Sequence, residues 1–252
     1  MNLQNMQRVT ARVWVHPASP DPADVQSAVG IIVGDRETIL IDAGNSPQLG
    51  HHIRRQLEVI GAPPVGRVFY THHHWDHTFG ACAYRAPAFA HRTCRDALLG
   101  LTQTPWGEAY LEQAALQDPA RAFRYEAIGR AIKSWDQFEI VVPQALETDH
   151  TSLTVGGVEL EVRHVGGVHA ADSVVMGVPA EGVTFLGDCF HPPPLDLRRT
   201  DDTLDLAMLA SLVVPKYAFY VSGHDAVATF DEPRAFVTTA SDANESPQAR
   251  RA

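Results

Sequence analysis

The sequence predicts an α/β fold, and three observations carry that prediction. Residues 38–41, a helical stretch beginning at Ser46, and residues 67–70 follow one another as strand, helix and strand. That last strand runs straight into a polar loop, the order of an α/β unit with chemistry at the carboxyl end of a strand. Two further apolar runs, 183–186 and 217–221, likewise end in polar groups, at Gly187-Asp188 and at Ser222-Gly223-His224. Finally, 252 residues of which 45% are hydrophobic suffice for a substantial core, in one large α/β domain or two small ones.

Taken in order, residues 9–15 alternate well enough for a first strand, and Pro17, Pro20 and Pro22 mark the loop after it. Residues 28–33 and 38–41 read as apolar strands joined by a hairpin-like turn at Gly34-Asp35. The second runs into Asp42-Ala43-Gly44. Asp42 is either an ordinary turn residue or an acceptor that orients a ligand histidine, and spacing alone favours the turn. Ser46 is an N-cap with Pro47 at the first helical position. Leu49, Ile53, Leu57 and Ile60 then recur at helical spacing until Gly61, while His51 and His52 read as surface or interface residues. Pro63-Pro64 leads into the strand at 67–70. Beyond His77 a short helix is expected over 79–84 and a small strand over 87–90.

Residues 91 to about 136 read as a helical insertion broken at Pro105-Trp106-Gly107. Phe123, Ala127 and Ala131 form one stripe, with Ile128, Ile132 and Trp135 on an adjoining one. This segment could wall a pocket or mediate dimerisation, with packing alone an equal reading for its individual aromatics, and His91 at its start does not read as a ligand. Strands resume at 152–155 and 158–165, paired by Gly156-Gly157. Strands at 173–178 and 183–186 flank a turn at Glu181-Gly182, followed by a helix over 202–212 and a strand over 217–221. From about Thr238 the chain turns Ser/Ala/Asn/Gln-rich, so residues 1–238 read as the domain and 239–252 as a frayed tail.

The densest chemistry is Thr71-His72-His73-His74-Trp75-Asp76-His77, in which His72, His74, Asp76 and His77 form an H-x-H-x-D-H pattern. Imidazole nitrogens and a carboxylate are the ligands preferred by zinc and its borderline neighbours. So many of them in six residues benefits neither a core nor a solvated face. The run is internal, follows a strand and holds an aspartate at a set position, unlike a tag-like histidine tract. If the strand ends near Tyr70, the loop turns His72 and His74 to one side. Asp76 and His77 then project toward a second position at the mouth of a helix, dividing the cluster between two adjacent metals. Further on, Gly166-Gly167 lets the backbone bend sharply and bring His169 into a site.

Composition excludes several classes. Asp and Glu number 30 against 20 Lys and Arg, a formal charge of −10, and basic pairs occur only at Arg54-Arg55, Arg198-Arg199 and Arg250-Arg251. A nucleic-acid backbone wants a basic stripe, which this chain does not supply. Cys82, Cys94 and Cys189 are scattered and lack a C-x-x-C spacing, which argues against a disulfide framework and fits a reducing compartment. The first residues show no basic segment followed by an apolar one, and no run approaches the roughly 18–20 apolar residues that span a bilayer. A cytoplasmic protein without membrane or nucleic-acid partners is the expectation.

Together, the run at 71–77, His169 after its glycine turn, Asp188 in Phe185-Leu186-Gly187-Asp188 and His224 in Ser222-Gly223-His224 resemble the metallo-β-lactamase superfamily. The resemblance covers residues 9–230, and the order and spacing of separate motifs are more specific than any one of them. Asp42-Ala43-Gly44 is similar to the family's early aspartate-glycine motif, which shifts Asp42 toward the orienting role. The resemblance implies an αββα sandwich of two mixed β-sheets flanked by helices, here with a helical insertion. It assigns His72, His74 and His169 to a first metal and Asp76, His77 and His224 to a second, with Asp188 bridging both. It also implies two divalent ions, zinc first with manganese and iron open, and a shared water acidified toward neutrality that attacks a carbonyl. Asp76 is then both ligand and catalytic residue.

That implies a hydrolase of a small ester, thioester or lactone, with β-lactam hydrolysis or a non-catalytic metal-stabilised binding module as alternatives. A small molecule is the expected partner, and a homodimer through the insertion stays open. The metal run resembles that of glyoxalase II hydrolases, yet the chain stops soon after His224, without room for their glutathione-binding helical domain. Ala170 stands after His169 where many relatives have threonine, and His191, close to Asp188, reads equally as a pocket-lining or a loop residue.

Overall fold

The computed structural model describes residues 4–245. Its first half forms a seven-stranded sheet, in spatial order β1 (Gln7–Arg8), β2 (Val13–His16), β3 (Val29–Val33), β4 (Thr38–Ile41), β5 (Val65–Phe69), β6 (Ala88–His91) and β7 (Gln144–Leu146). Pairing is antiparallel up to β4 and parallel from β4 to β7, so the sheet is mixed. The second half forms a six-stranded sheet from β8 (His150–Val155), β9 (Val158–His164), β10 (Val174–Val178), β11 (Val183–Gly187), β12 (Phe219–Ser222) and β13 (Ala228–Thr229). Only its β11–β12 pair is parallel.

The apolar strands of both sheets are buried on two faces, which explains their continuous hydrophobic runs. In β4, Ile39 and Ile41 point into the layer between the sheets, where they meet Leu160, Val162, Met176 and Phe185 of the other sheet. Leu40 points the opposite way, onto Leu49, Ile53 and Leu57 of α1 (Pro47–Val59). The second sheet repeats this scheme. Val175, Leu186 and Tyr220 face outward onto Leu209 and Leu212 of α6 (Leu206–Leu212) and Val237 of α7 (Asp231–Glu245). Helix, sheet, sheet and helix therefore stack in four layers, as expected. The two sheets approach closely at Gly30, where a Cβ would collide with the Phe185 ring.

The insertion is helical and broken as predicted, into α3 (Arg92–Leu101), α4 (Glu108–Gln117) and α5 (Ala122–Ala131). Leu111, Ile128 and Ile132 pack with Phe79, and Trp106 sits edge-on to Phe79 at 5.0 Å. Phe123, expected on the packed stripe, is 57% exposed.

Four local expectations need correction. The strand expected over 9–15 is split, because Val9 and Thr10 N–H both donate to Val13 O and Thr10 Oγ1 accepts from Val13 N–H, closing a turn between β1 and β2. The helix expected over 79–84 begins earlier, as α2 (Trp75–Thr78), with a separate 3-10 turn at Ala81–Ala83. The helix expected over 202–212 starts at Leu206, because Asp205 accepts from Met208 N–H and caps it. The tail expected from 239 is helical through Glu245, since α7 starts where Glu232 accepts from Thr229 N–H and Oγ1–H and is held by buried Val237. The rest of that expected tail, 246–252, lies outside the described residues. Among the described residues no helix is long and apolar enough to cross a membrane.

Candidate metal centre

All seven predicted donors come together at one edge of the sandwich. His72, His74, Asp76 and His77 leave the end of β5 through the loop into α2, from the first sheet. His169 arrives from the β9–β10 loop, Asp188 just after β11 and His224 just after β12, from the second. Donor atoms of His72, His74 and His169 lie within 4.8 Å of one another, as do those of Asp76, His77 and His224, and those of His72, His77 and Asp188.

Hydrogen bonds behind the rings decide which nitrogen each presents. Asp42 holds a left-handed backbone (φ 65°), strained for a residue with a Cβ but tolerated by aspartate. From there its carboxylate accepts from Thr71 N–H at 2.7 Å, Thr71 Oγ1–H at 2.8 Å and His77 Nδ1–H at 2.8 Å. Because the Thr71 hydroxyl proton is committed to Asp42, its oxygen accepts from His72 Nδ1–H at 3.1 Å. His169 Nδ1–H donates to Pro192 O at 3.0 Å. The Nε2 lone pairs of His72, His77 and His169 are thereby turned inward. His74 turns its Nδ1 inward, 3.0 Å from His169 Nε2, a spacing natural for two lone pairs aimed at one acceptor of electrons. Asp42 thus has the orienting role and not that of a plain turn.

His72, Asp76, His77, His169 and Asp188 are all buried. Among the described residues, His72 Nε2, His77 Nε2 and Asp188 Oδ1 are buried without a hydrogen-bond partner, the last two standing 3.4 Å apart. Orphaned polar atoms are costly, and three converging lone-pair donors fit a divalent cation. Without an ion, the charges of the site pair with one another. Burial alone would raise the Asp76 and Asp188 carboxyls, but the His77 and His224 imidazoles hold both below the usual range. In return burial is outweighed at His77, and at His224 the two carboxylates lift the imidazole to about 10. Burial, with neighbouring imidazoles, drives His72 far down and His74 to about 3, so these stay neutral, as ligands must be.

Gly223 is required at the second-sheet side, since a Cβ there would collide with Asp188 Oδ1 and stand 2.9 Å from His77 Cε1. Sequence reasoning gave no role to Ser27, whose Oγ–H donates to Asp76 O at 2.7 Å. Nor did it pair His73 with Asp172, which accepts from His73 N–H and Nδ1–H at 2.8 Å each and fixes the loop between ligands. Neither carries a local pattern, since each acts across the fold. His191 lies beside His224, ring centroids 5.7 Å apart, with Nε2 2.9 Å from Ser222 Oγ and 3.1 Å from Asp225 Oδ2. His91 lies apart, stacked on His164 at 4.0 Å and bonded to Asp149. His52 bonds Gln4 O at 2.9 Å, away from the site.

A cavity of about 440 Å³ opens onto His74 and Asp76, walled on its far side by the insertion. The insertion thus walls a pocket, one of the two roles its sequence left open.

Comparison with known proteins agrees with this geometry. The structure resembles a metallo-beta-lactamase from Pontibacter korlensis (19% identity, TM-score 0.63, covering 94% of this chain and 98% of that one). It also resembles TMB-1 (16%, TM-score 0.67, 97% and 100%) and the sec-alkylsulfatase Pisa1 from Pseudomonas sp. (16%, TM-score 0.66, 93% and 40%). At these identities the likeness is one of fold. No curated protein matches the chain. The family description "Metallo-beta-lactamase superfamily" matches residues 22–224, a span that holds every one of the clustered donors. With that match, the four-layer sandwich and a His/Asp cluster built to hold metal, the chain belongs to the metallo-β-lactamase superfamily of metal-dependent hydrolases.

Proposed function

We propose that the chain hydrolyses a small ester, thioester or lactone at a two-metal centre. His72, His74 and His169 would hold one ion and Asp76, His77 and His224 the other, with the Asp188 carboxylate within reach of a histidine from each set. The observation that carries this reading is the convergence of the orphaned His72 Nε2, His77 Nε2 and Asp188 Oδ1. Zinc suits the imidazole-rich donor set, with manganese and iron as the other candidates. When bound, such ions supply Lewis acidity toward a carbonyl and acidify water at neutral pH.

The chain's own residues supply the rest. Asp76 lies on the cavity wall, its Oδ2 3.1 Å from His224 Nε2 and 3.4 Å from His77 Nε2. From there its carboxylate is placed to accept a hydrogen bond from the attacking water and to orient it toward the substrate. Asp42 and Thr71 hold His77 and His72 in the tautomers the reaction needs. Burial of the donors excludes bulk water from the reacting groups.

Metal content of the purified chain, paired with turnover of aryl esters, thioesters, lactones and a chromogenic cephalosporin, tests the proposal. About two ions per chain and chelator-sensitive turnover of one oxygen- or thioester class are expected. Turnover of the cephalosporin alone would move the assignment to β-lactams. Bound metal with no turnover anywhere would favour a binding module, and turnover indifferent to chelator would overturn the metal mechanism.

A further inference from the structure

The cavity beside the candidate metal centre has a chemistry of its own. Phe79, Trp106, Phe123 and Ile128 wall one side, and Leu195 and Leu197 face them from the loop that follows Asp188. Trp106 is anchored edge-on against Phe79, and its Nε1–H donates to Leu101 O at 3.0 Å. The indole thus spends its one polar atom on the backbone and offers the cavity hydrocarbon. At the mouth, Phe123, Leu195 and Leu197 are 57%, 82% and 38% exposed. Large apolar side chains left in water around a single opening mark a surface that gains by being covered.

The charges on this wall cancel. Arg124 Nη2 lies 2.7 Å from Asp196 Oδ2, tying the insertion to the 194–197 loop. His73 has its Nδ1–H on Asp172. Arg124 and Asp196 therefore offset each other's charge, and this wall offers no net charge to a carboxylate, a phosphate or an amine.

We propose that the substrate lays a neutral hydrocarbon arm, acyl or alkyl, in this cavity, with its scissile group at His74 and Asp76. Phe123 and Leu195 set the preferred chain length. The placement of the scissile group rests on the hydrolase reading above, whereas the cavity's choice of a neutral chain is independent of it.

The test reads binding first. The full chain is saturated with the neutral fluorophore N-phenyl-1-naphthylamine and titrated with butanol, hexanol, octanol and octanoate. Displacement by the alcohols should tighten about two- to fourfold per added methylene, and octanol should compete at least about tenfold better than octanoate. Phe123→Glu, at an exposed position, should weaken octanol about tenfold and leave the melting temperature unchanged. Chain-length independence, stronger binding of octanoate, or an inert Phe123→Glu would each overturn the proposal. So would sedimentation showing a homodimer that Phe123→Glu dissociates while alcohols fail to displace the probe. The kinetic arm separates the two readings. Alcohols that bind as expected, with no ester or thioester turned over, would fail the hydrolase reading alone. Acetyl and octanoyl thioesters cleaved with equal kcat/KM, with no alcohol binding, would fail the hydrocarbon-arm reading alone.

Discussion

Asp42 Oδ2 lies 2.8 Å from His77 Nδ1, and the same carboxylate holds Thr71, which in turn holds His72. One aspartate, itself no candidate ligand, therefore fixes the tautomers of two histidines assigned to different ions. Carboxylates placed behind ligand histidines orient the ring and raise its basicity.

Asp42→Asn should accordingly weaken metal binding by roughly 10- to 100-fold. The amide keeps the size of the side chain but offers N–H where Thr71 or His77 needs an acceptor. Competition with a chromogenic chelator measures the affinity. An unchanged affinity would mean that Asp42 is only the turn residue its spacing first suggested.

Gly223→Ala tests the packing of the second-sheet side. The new methyl would meet Asp188 Oδ1 and His77 Cε1, so Asp188 must move. Elemental analysis should find metal content sharply reduced while far-UV circular dichroism stays native. Full metal loading in this variant would show that Asp188 is not needed where it stands.

The interlock of the two sheets gives a stability prediction. Gly30→Ala forces a methyl against the Phe185 ring in the inter-sheet core, and overpacking of this kind costs about 1–3 kcal/mol. Urea unfolding should show the midpoint shifted with an unchanged slope. Tolerance without loss would mean that the Phe185 ring has room to turn aside.

His16 provides the pH dependence. It is fully buried on β2, neither ring nitrogen has a hydrogen-bond partner, and burial, aided by His52, lowers its pKa from 6.5 to about 4. Between those values the unfolded chain binds the proton and the folded chain does not. Stability from this group is thus complete above pH 6.5 and declines as pH falls toward 4, by about 3 kcal/mol in all. His16→Leu should remove that part of the acid loss, measured as the difference between urea unfolding at pH 7 and pH 4.5. An identical loss in both proteins would refute the assignment.

What could be read from the sequence follows a physical division. Strands buried on both faces, such as Thr38–Ile41 and Val183–Gly187, announce themselves as unbroken apolar runs. The run at 71–77 is legible because its donors are close in sequence, and His169, Asp188 and His224 became legible as its partners. Elements fixed by a single capping or turn contact were misplaced by a few residues, as at Thr10 and Asp205. Contacts between distant segments left no local trace. Ser27 reaches Asp76 across 49 positions, and Asp172 reaches His73 across 99. The polar composition of 238–245 hid the second half of α7, whose buried anchor Val237 lies just before that segment.

The candidate donors are divided between the sheets, four from the first and His169, Asp188 and His224 from the second. An emerging chain therefore carries the dense histidine run long before His224 has been synthesised. Until the two halves dock, that run lacks Asp188 and a closed shell, so ions captured early would be held loosely and exchange. Assembly of the sandwich is then itself the step that commits the ions, and metal occupancy becomes a report on whether the two halves have been joined correctly.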